Sequence, residues 1–331
     1  MYSADYANYP VNLFKGCNDQ MISFKKVLFV ADGSAGEKAA LKKTIELAKT
    51  TKARITVMDV VEIAEGYAIT DVAIDMIRLQ KELVKGRTED LKALVKKTLP
   101  RNSKTRIPVV VKEGKDLIKI IQEVKKEGYD LVVKASGKPH LTGVLFSTLD
   151  MNLVRKCPCP VYIMKPRKKI NHARILASVD LRLKDKTQKN MDRTIMDLAS
   201  SLAELEKGEL HVLHAWDVAL ENRLKNRHGI AAAYKSITSM LREMRKVEKT
   251  HLEELAEEYA LTKSEAHLIK GHPADVIPRF VKSKRIDLVV MGTVGRSGIK
   301  GFFMGNTAEK VLNNINCSVL AIKPHGWKTP V

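Results

Sequence analysis

One stretch of this 331-residue chain gathers glycines. It reads Met291-Gly-Thr-Val-Gly-Arg-Ser-Gly-Ile-Lys-Gly-Phe-Phe-Met-Gly-Asn-Thr-Ala-Glu309, with five glycines between Gly292 and Gly305. Glycine admits positive φ and close approach of the backbone, so a run of glycines can turn several N–H groups toward one anion. Asn306 is expected to cap a following helix, with Glu309 three residues on as in a capping box. The free N–H groups of that first turn, with the helix dipole, favour a phosphate. Arg296 and Lys300 add cations to the same loop. The spacing is not that of a Walker A loop, GxxxxGK[ST].

The elements that must position this loop come from a duplication. Val27-Leu-Phe-Val-Ala-Asp32 recurs as Ile175-Leu-Ala-Ser-Val-Asp180, Asp130-Leu-Val-Val-Lys134 as Asp287-Leu-Val-Val-Met291, and Cys159-Pro-Val-Tyr-Ile-Met-Lys-Pro166 as Cys317-Ser-Val-Leu-Ala-Ile-Lys-Pro324. The order is kept and the offset stays near constant, at 148, 157 and 158 residues. In the first copy, apolar runs predict strands at Lys26 to Asp32, Arg54 to Val60, Pro108 to Lys112, Asp130 to Lys134 and Val161 to Lys165. The second copy predicts Arg174 to Asp180, Glu209 to Trp216, Ala266 to Lys270, Asp287 to Met291 and Ser318 to Lys323. Helical periodicities lie between them. Continuously apolar strands alternating with helices specify a parallel sheet covered on both faces. The expected fold class is α/β: two tandem, doubly wound, five-stranded parallel-sheet domains, Rossmann-like α/β/α sandwiches. Residues 24–166 and 172–324 are the expected domains, 1–23 a loose extension, and the short basic linker predicts an intramolecular pseudo-twofold pair. Ligands of such sheets bind beyond the carboxyl ends of the strands, where strand order reverses. The glycine loop follows the fourth strand of the second copy, at that place.

Composition narrows the rest. The formal net charge is +20, spread along the chain, which favours acidic partners without marking a nucleic-acid arm. Four cysteines are too few for a disulfide framework and point to a reducing compartment. No apolar run has the length of a membrane span, and Met1 to Gln20 lack the apolar core of a signal peptide. A cytoplasmic protein is expected. Met21 would also serve as a start.

Gly292-x2-Gly295-x9-Gly305-Asn306-Thr307 resembles the nucleotide motif of universal stress proteins, and the resemblance runs from about Phe24 to Pro324. It implies ATP or another adenine nucleotide in the second domain. By that resemblance Asp180 contacts the nucleotide, the backbone near Ala215 holds adenine, Met291 lines the base pocket, and Gly292, Gly295, Gly305, Asn306 and Thr307 surround ribose and phosphates. Read alone, Asp180 is also a plain helix cap and Met291 a core residue.

The first copy departs from the pattern. Ala135, Lys138 and Ser147 stand where Gly292, Gly295 and Gly305 are, and Lys134 replaces Met291. A lysine there either pairs with Asp32 and closes the site, or binds a different anion.

No catalytic constellation accompanies the loop: there is no HExxH and no GxSxG. His211 and His214 share a strand and face opposite sides. Cys157-Pro-Cys159 reads as packing, and His272 as a solvated helix-start residue. The leading expectation is a regulatory or sensing module of the stress response, with Mg²⁺ admitted beside the nucleotide. The alternatives are a slow ATPase or adenylate-transferring enzyme using Asp180, and a binder of nucleic acid or anionic lipid. The sequence leaves self-association open.

Overall fold

The computed structural model describes residues 24–62, 71–137, 146–165, 172–182, 186–216, 231–294, 304–324 and 326–331. Two compact units emerge, one built on Ile22–Lys168 and also taking in Trp327–Val331, the other on Lys169–Gly326.

The first unit runs β1 (Lys26–Val30), α1 (Glu37–Thr51), β2 (Arg54–Val61), α2 (Asp71–Thr98), β3 (Val109–Glu113), α3 (Asp116–Glu127), β4 (Leu131–Ala135), α4 (Thr148–Lys156) and β5 (Val161–Met164). Its sheet order is β3-β2-β1-β4-β5, all parallel. The second unit runs β6 (Arg174–Val179), α5 (Lys186–Leu205), β7 (Glu209–Trp216), α6 (Ala231–Glu258), β8 (Ala266–Lys270), α7 (Pro273–Lys284), β9 (Leu288–Gly292), α8 (Asn306–Asn314) and β10 (Ser318–Ile322). Its order is β8-β7-β6-β9-β10, again parallel. The expected α/β architecture is therefore present twice, with strand ends shifted by a residue or two from the sequence reading.

The central strands explain themselves by composition. Val27 to Val30, Leu131 to Ala135 and Leu288 to Met291 are buried throughout, because helices cover both faces. One polar device repeats and locks register. The Asp130 carboxylate accepts the Lys25 and Lys26 N–H groups at 2.7 and 3.0 Å, and Asp287 accepts the Arg174 N–H at 2.8 Å. Each aspartate thus ties the start of the fourth strand to the start of the first.

A repeated glycine shapes the carboxyl edge. Gly114 (φ +125°) and Gly271 (φ +141°) follow the third strand of each unit, in a region that disfavours a side chain. Their N–H groups donate to the carbonyls of Val61 and Trp216, the last residues of β2 and β7, both at 3.0 Å. That turn starts α3 and α7 beside the strand ends, where ligands bind in this topology. His272 caps α7, its Nδ1 accepting the Ala274 N–H at 3.2 Å, with Pro273 at the first helical position.

Candidate nucleotide site

In the second unit the predicted residues converge on the carboxyl edge. Asp180 leaves β6, Ala215 lies near the end of β7, and Met291 and Gly292 end β9. Ala215 and Met291 are buried and apolar, at 7% and 4% exposure, as the floor of a base pocket would be. Val294 and Met304 form an isolated antiparallel bridge, and the Gly305 N–H donates to the Thr293 carbonyl at 2.9 Å. The two ends of the glycine stretch are thereby pinned together between β9 and α8. Gly295 and Arg296, with Lys300, lie outside the described residues.

The expected cap of α8 is shifted by one residue. Gly305 is the N-cap, in extended conformation (φ −62°, ψ 139°), and Asn306 is the first helical residue. Gly305 has no side chain, so no side-chain cap bond forms, and the Asn306/Glu309 capping box is not made. This strengthens the chemistry it was meant to support. Among the described residues no side chain caps the N–H groups that open α8, and such a helix start, with the dipole behind it, suits an anion. Gly292 is less demanding than expected: an added Cβ would meet Met191 and Ile195 at 3.7 to 3.9 Å, ordinary contact. Packing alone does not require glycine there.

Asp180 carries a partner the sequence reading missed. Arg182 grips its carboxylate bidentately, Nε to Oδ1 at 2.9 Å and a terminal nitrogen to Oδ2 at 2.8 Å. Both side chains are partly exposed, so the fork can exchange Asp180 for a phosphate. Further round the edge, the Arg245 and Lys270 cations each lie 5.6 Å from the Trp216 ring centroid.

The first unit builds something different at the equivalent place. Lys134, fully buried, sends its ammonium to Asp32 Oδ2 at 2.5 Å and to Asp150 Oδ1 at 2.8 Å. Of the two readings of Lys134, pairing with Asp32 is the one realised, and Asp150 joins it. Asp150 also completes a capping box. It accepts the Ser147 N–H at 2.9 Å while Ser147 Oγ accepts the Asp150 N–H at 3.1 Å, and its Oδ2 takes the Gly137 N–H at 3.0 Å. Where Gly305 gives α8 no side-chain cap, Ser147 and Asp150 cap α4. Burial would push Asp32 up, but Lys134 outweighs it and holds the carboxyl below its usual range. Burial would push Lys134 down, yet Asp150 and Asp32 raise it, so it stays charged. A cavity of about 220 Å³ remains beside the cluster, lined by Asp32, Asp59, Glu62, Arg87 and Asp116, and those carboxylates oppose a phosphate.

Residues 23–165 and 174–323 both match the model of the Universal stress protein family. The chain belongs to the universal stress protein family. The universal stress protein E homolog of Haemophilus influenzae is 27% identical over 317 residues, 92% of this chain and 98% of its own. Universal stress protein E of Escherichia coli K12 is 32% identical over 215 residues, 64% and 66% of the two chains. A crystal structure of a Pseudomonas aeruginosa protein of unknown function overlays with a TM-score of 0.65 at 24% identity, covering 91% of this chain and 93% of that one. That likeness shows the fold. Among the described residues no helix is long and apolar enough to cross a membrane.

The two domains of this universal stress protein also differ one shell back. In the first, Asp59 on β2 pairs with Arg87 on α2 at 2.5 Å. In the second, the corresponding pair is His214 on β7 and Glu248 on α6, at 3.1 Å. Acid and base have exchanged strand and helix.

His211, on the opposite face of β7, meets His267 of β8. Nδ1 of the first lies 3.4 Å from Nε2 of the second, and both rings stand edge-on to Phe280. Burial, with His211 and Lys284 nearby, pushes His267 down to about 4, and burial also lowers His211. The folded state therefore keeps His267 neutral while the unfolded chain protonates near 6.5. Stability of the second domain is expected to fall as pH drops from about 6.5 to about 4. The expected loss is on the order of 1 kcal/mol, after discounting the partly exposed ring for screening. Thermal melts of wild type and His267→Leu between pH 7.5 and 4.5 check it: the variant should have the flatter profile. Parallel profiles would exclude this pair as the source.

Proposed function

We propose that this universal stress protein binds ATP or a related adenine nucleotide in its second domain, in the cytoplasm, and acts as a regulatory or sensing module of the stress response. One observation carries the reading: the N-terminus of α8 has a glycine cap, with no side-chain cap bond among the described residues, and it is tied to the end of β9 by the Gly305–Thr293 bond. The same helix start in the first domain is consumed by Ser147 and Asp150. The phosphates sit at Gly305, Asn306 and Thr307, with Gly292, Gly295 and Arg296 completing the loop. The base lies on Met291 and the Ala215 backbone, and Asp180 reaches the ribose. Any Mg²⁺ is carried by the nucleotide's own phosphates.

Isothermal titration of the full chain with ATP and Mg²⁺ tests this. The expected result is one saturable equivalent per chain, weakened roughly tenfold by Asp180→Ala, the scale of one charge-assisted hydrogen bond. No saturable binding by wild type would sink the proposal. Asp180-dependent phosphate release would make the protein an ATPase instead.

A further inference from the structure

The segment that presents Asp180 is held by side chains from three different elements. The Asp180 N–H donates to Asp192 Oδ1 of α5 at 2.9 Å. The Leu181 N–H donates to His214 Nδ1 of β7 at 3.4 Å. The Leu181 carbonyl accepts from His251 Nδ1 of α6 at 3.2 Å. Asp192 and His214 are buried, and so is Glu248, which fixes the far side of the His214 ring through Nε2.

Nε2 of His214 lies 3.1 Å from Glu248 Oε2, and Nδ1 lies 3.4 Å from both the Leu181 nitrogen and the Val179 carbonyl oxygen. The tautomer that donates from Nε2 to Glu248 presents an Nδ1 lone pair to the Leu181 N–H. That lone pair is what the Leu181 N–H needs. The first domain solves the equivalent problem locally. There, a single carboxylate, Glu37 Oε2, accepts both the Asp32 and Gly33 N–H groups at 2.8 and 2.7 Å, and the strand-two residue Asp59 is turned to Arg87 instead. The domain whose aspartate is bound to Lys134 thus uses a clamp from its own next helix. The domain whose aspartate faces the candidate site uses a three-element clamp.

We infer that Asp192, His214 and His251 are positioning residues that fix the peptide after β6 so that the Asp180 carboxylate points at the ligand, with Glu248 setting the ring of His214. The inference rests on the nucleotide reading of the second domain. None of the three need touch the nucleotide. Their effect is to order the 180–181 turn before the ligand arrives, so that binding does not carry that cost.

The two nitrogens of His214 can be tested separately in the full chain. An asparagine amide falls near the position of Nδ1, and a glutamine amide near that of Nε2. His214→Asn is expected to keep the Leu181 contact and bind ATP within about threefold of wild type. His214→Gln is expected to keep the Glu248 contact, lose the Leu181 one, and bind roughly tenfold more weakly. Asp192→Asn retains an acceptor and should bind as wild type, whereas Asp192→Ala should lose about tenfold. Amide exchange at Asp180 and Leu181, measured without ligand, should rise in His214→Gln and Asp192→Ala only. Equal ATP affinity of the Asn and Gln variants, or losses that merely track melting temperature, would overturn the inference. So would unchanged exchange at 180 and 181. Wild type that fails to bind ATP would overturn the nucleotide reading, and the exchange data would still report whether the clamp exists.

Discussion

Lys134→Met is expected to destabilise the first domain by about 3–5 kcal/mol, the scale of removing one partner from a buried ion cluster. Lys134 is fully buried, and so is Asp150, 2.8 Å from its ammonium. Methionine fills the space but leaves two carboxylates facing one another without a counter-ion. Asp150 would still accept the Ser147 and Gly137 N–H groups, so part of its charge stays satisfied, and the loss should not reach the full cost of an orphaned buried ion. The second domain shows how the same fold dispenses with the cluster: Met291 stands in place of Lys134 and Ala308 in place of Asp150. Lys134→Met combined with Asp150→Ala should accordingly recover most of the stability, short of the roughly 1 kcal/mol lost with the capping box. Urea unfolding followed by amide exchange along β4 measures both variants. Additive losses, with the double variant worse than either single one, would mean the cluster is not the source.

The pH dependence of that loss has a defined sign. In wild type, Lys134 holds Asp32 below its usual range, so this stabilisation is present at neutral pH and is lost as pH falls through the depressed value. In Lys134→Met burial acts on Asp32 without the opposing lysine, so Asp32 binds a proton more readily than in the unfolded chain. Acidification therefore relieves the variant while it weakens wild type, and the gap between them should narrow from about pH 7 toward about pH 4.

The fold was legible because duplication and periodicity are written in neighbouring residues. A continuous apolar run such as Leu131-Val-Val between turn residues has few other readings, and its echo at Leu288 removes the rest. Lys134 was legible as an anomaly because its counterpart is methionine. Asp150 had a signal of its own: Ser147-x-x-Asp150 is a capping-box spacing directly before a helical stretch. The cap of α8 falls one residue before the expected one. Asparagine is the stronger capping type, yet the chain uses Gly305 and keeps the position free of an acceptor. Arg182, two residues from Asp180, could have been suspected as its partner. His214–Glu248 and His211–His267 could not. Both pairs depend on the phase and tilt of elements more than thirty residues apart in sequence, which no local pattern encodes.

Met291→Lys carries the nucleotide proposal furthest, and it is expected to reduce ATP affinity by about 100-fold or more, the scale of a buried charge set against binding. Two opposite effects compete. A new ammonium at the base of the site attracts phosphate, which would tighten binding. But the residue sits on β9 at the register of Lys134, with Asp180 placed as Asp32 is. In the first domain that lysine turns to its aspartate and is buried. The same geometry should draw the introduced ammonium onto Asp180, displace Arg182 from the carboxylate, and fill the pocket floor with a charged chain that a nucleobase cannot replace. Desolvation of the ammonium makes the single variant unstable, because Ala308 supplies no second carboxylate. Adding Ala308→Asp should restore a two-carboxylate cluster and with it the melting temperature, while ATP remains excluded. Titration and thermal melts of both variants separate the effects. Tighter ATP binding by Met291→Lys would show that position 291 faces the phosphates and not the base. Wild-type affinity in the double variant would place the nucleotide elsewhere on the chain. The expected pair of outcomes, folding restored and binding still lost, would mean that the first domain is closed by its own lysine and that two substitutions suffice to close the second.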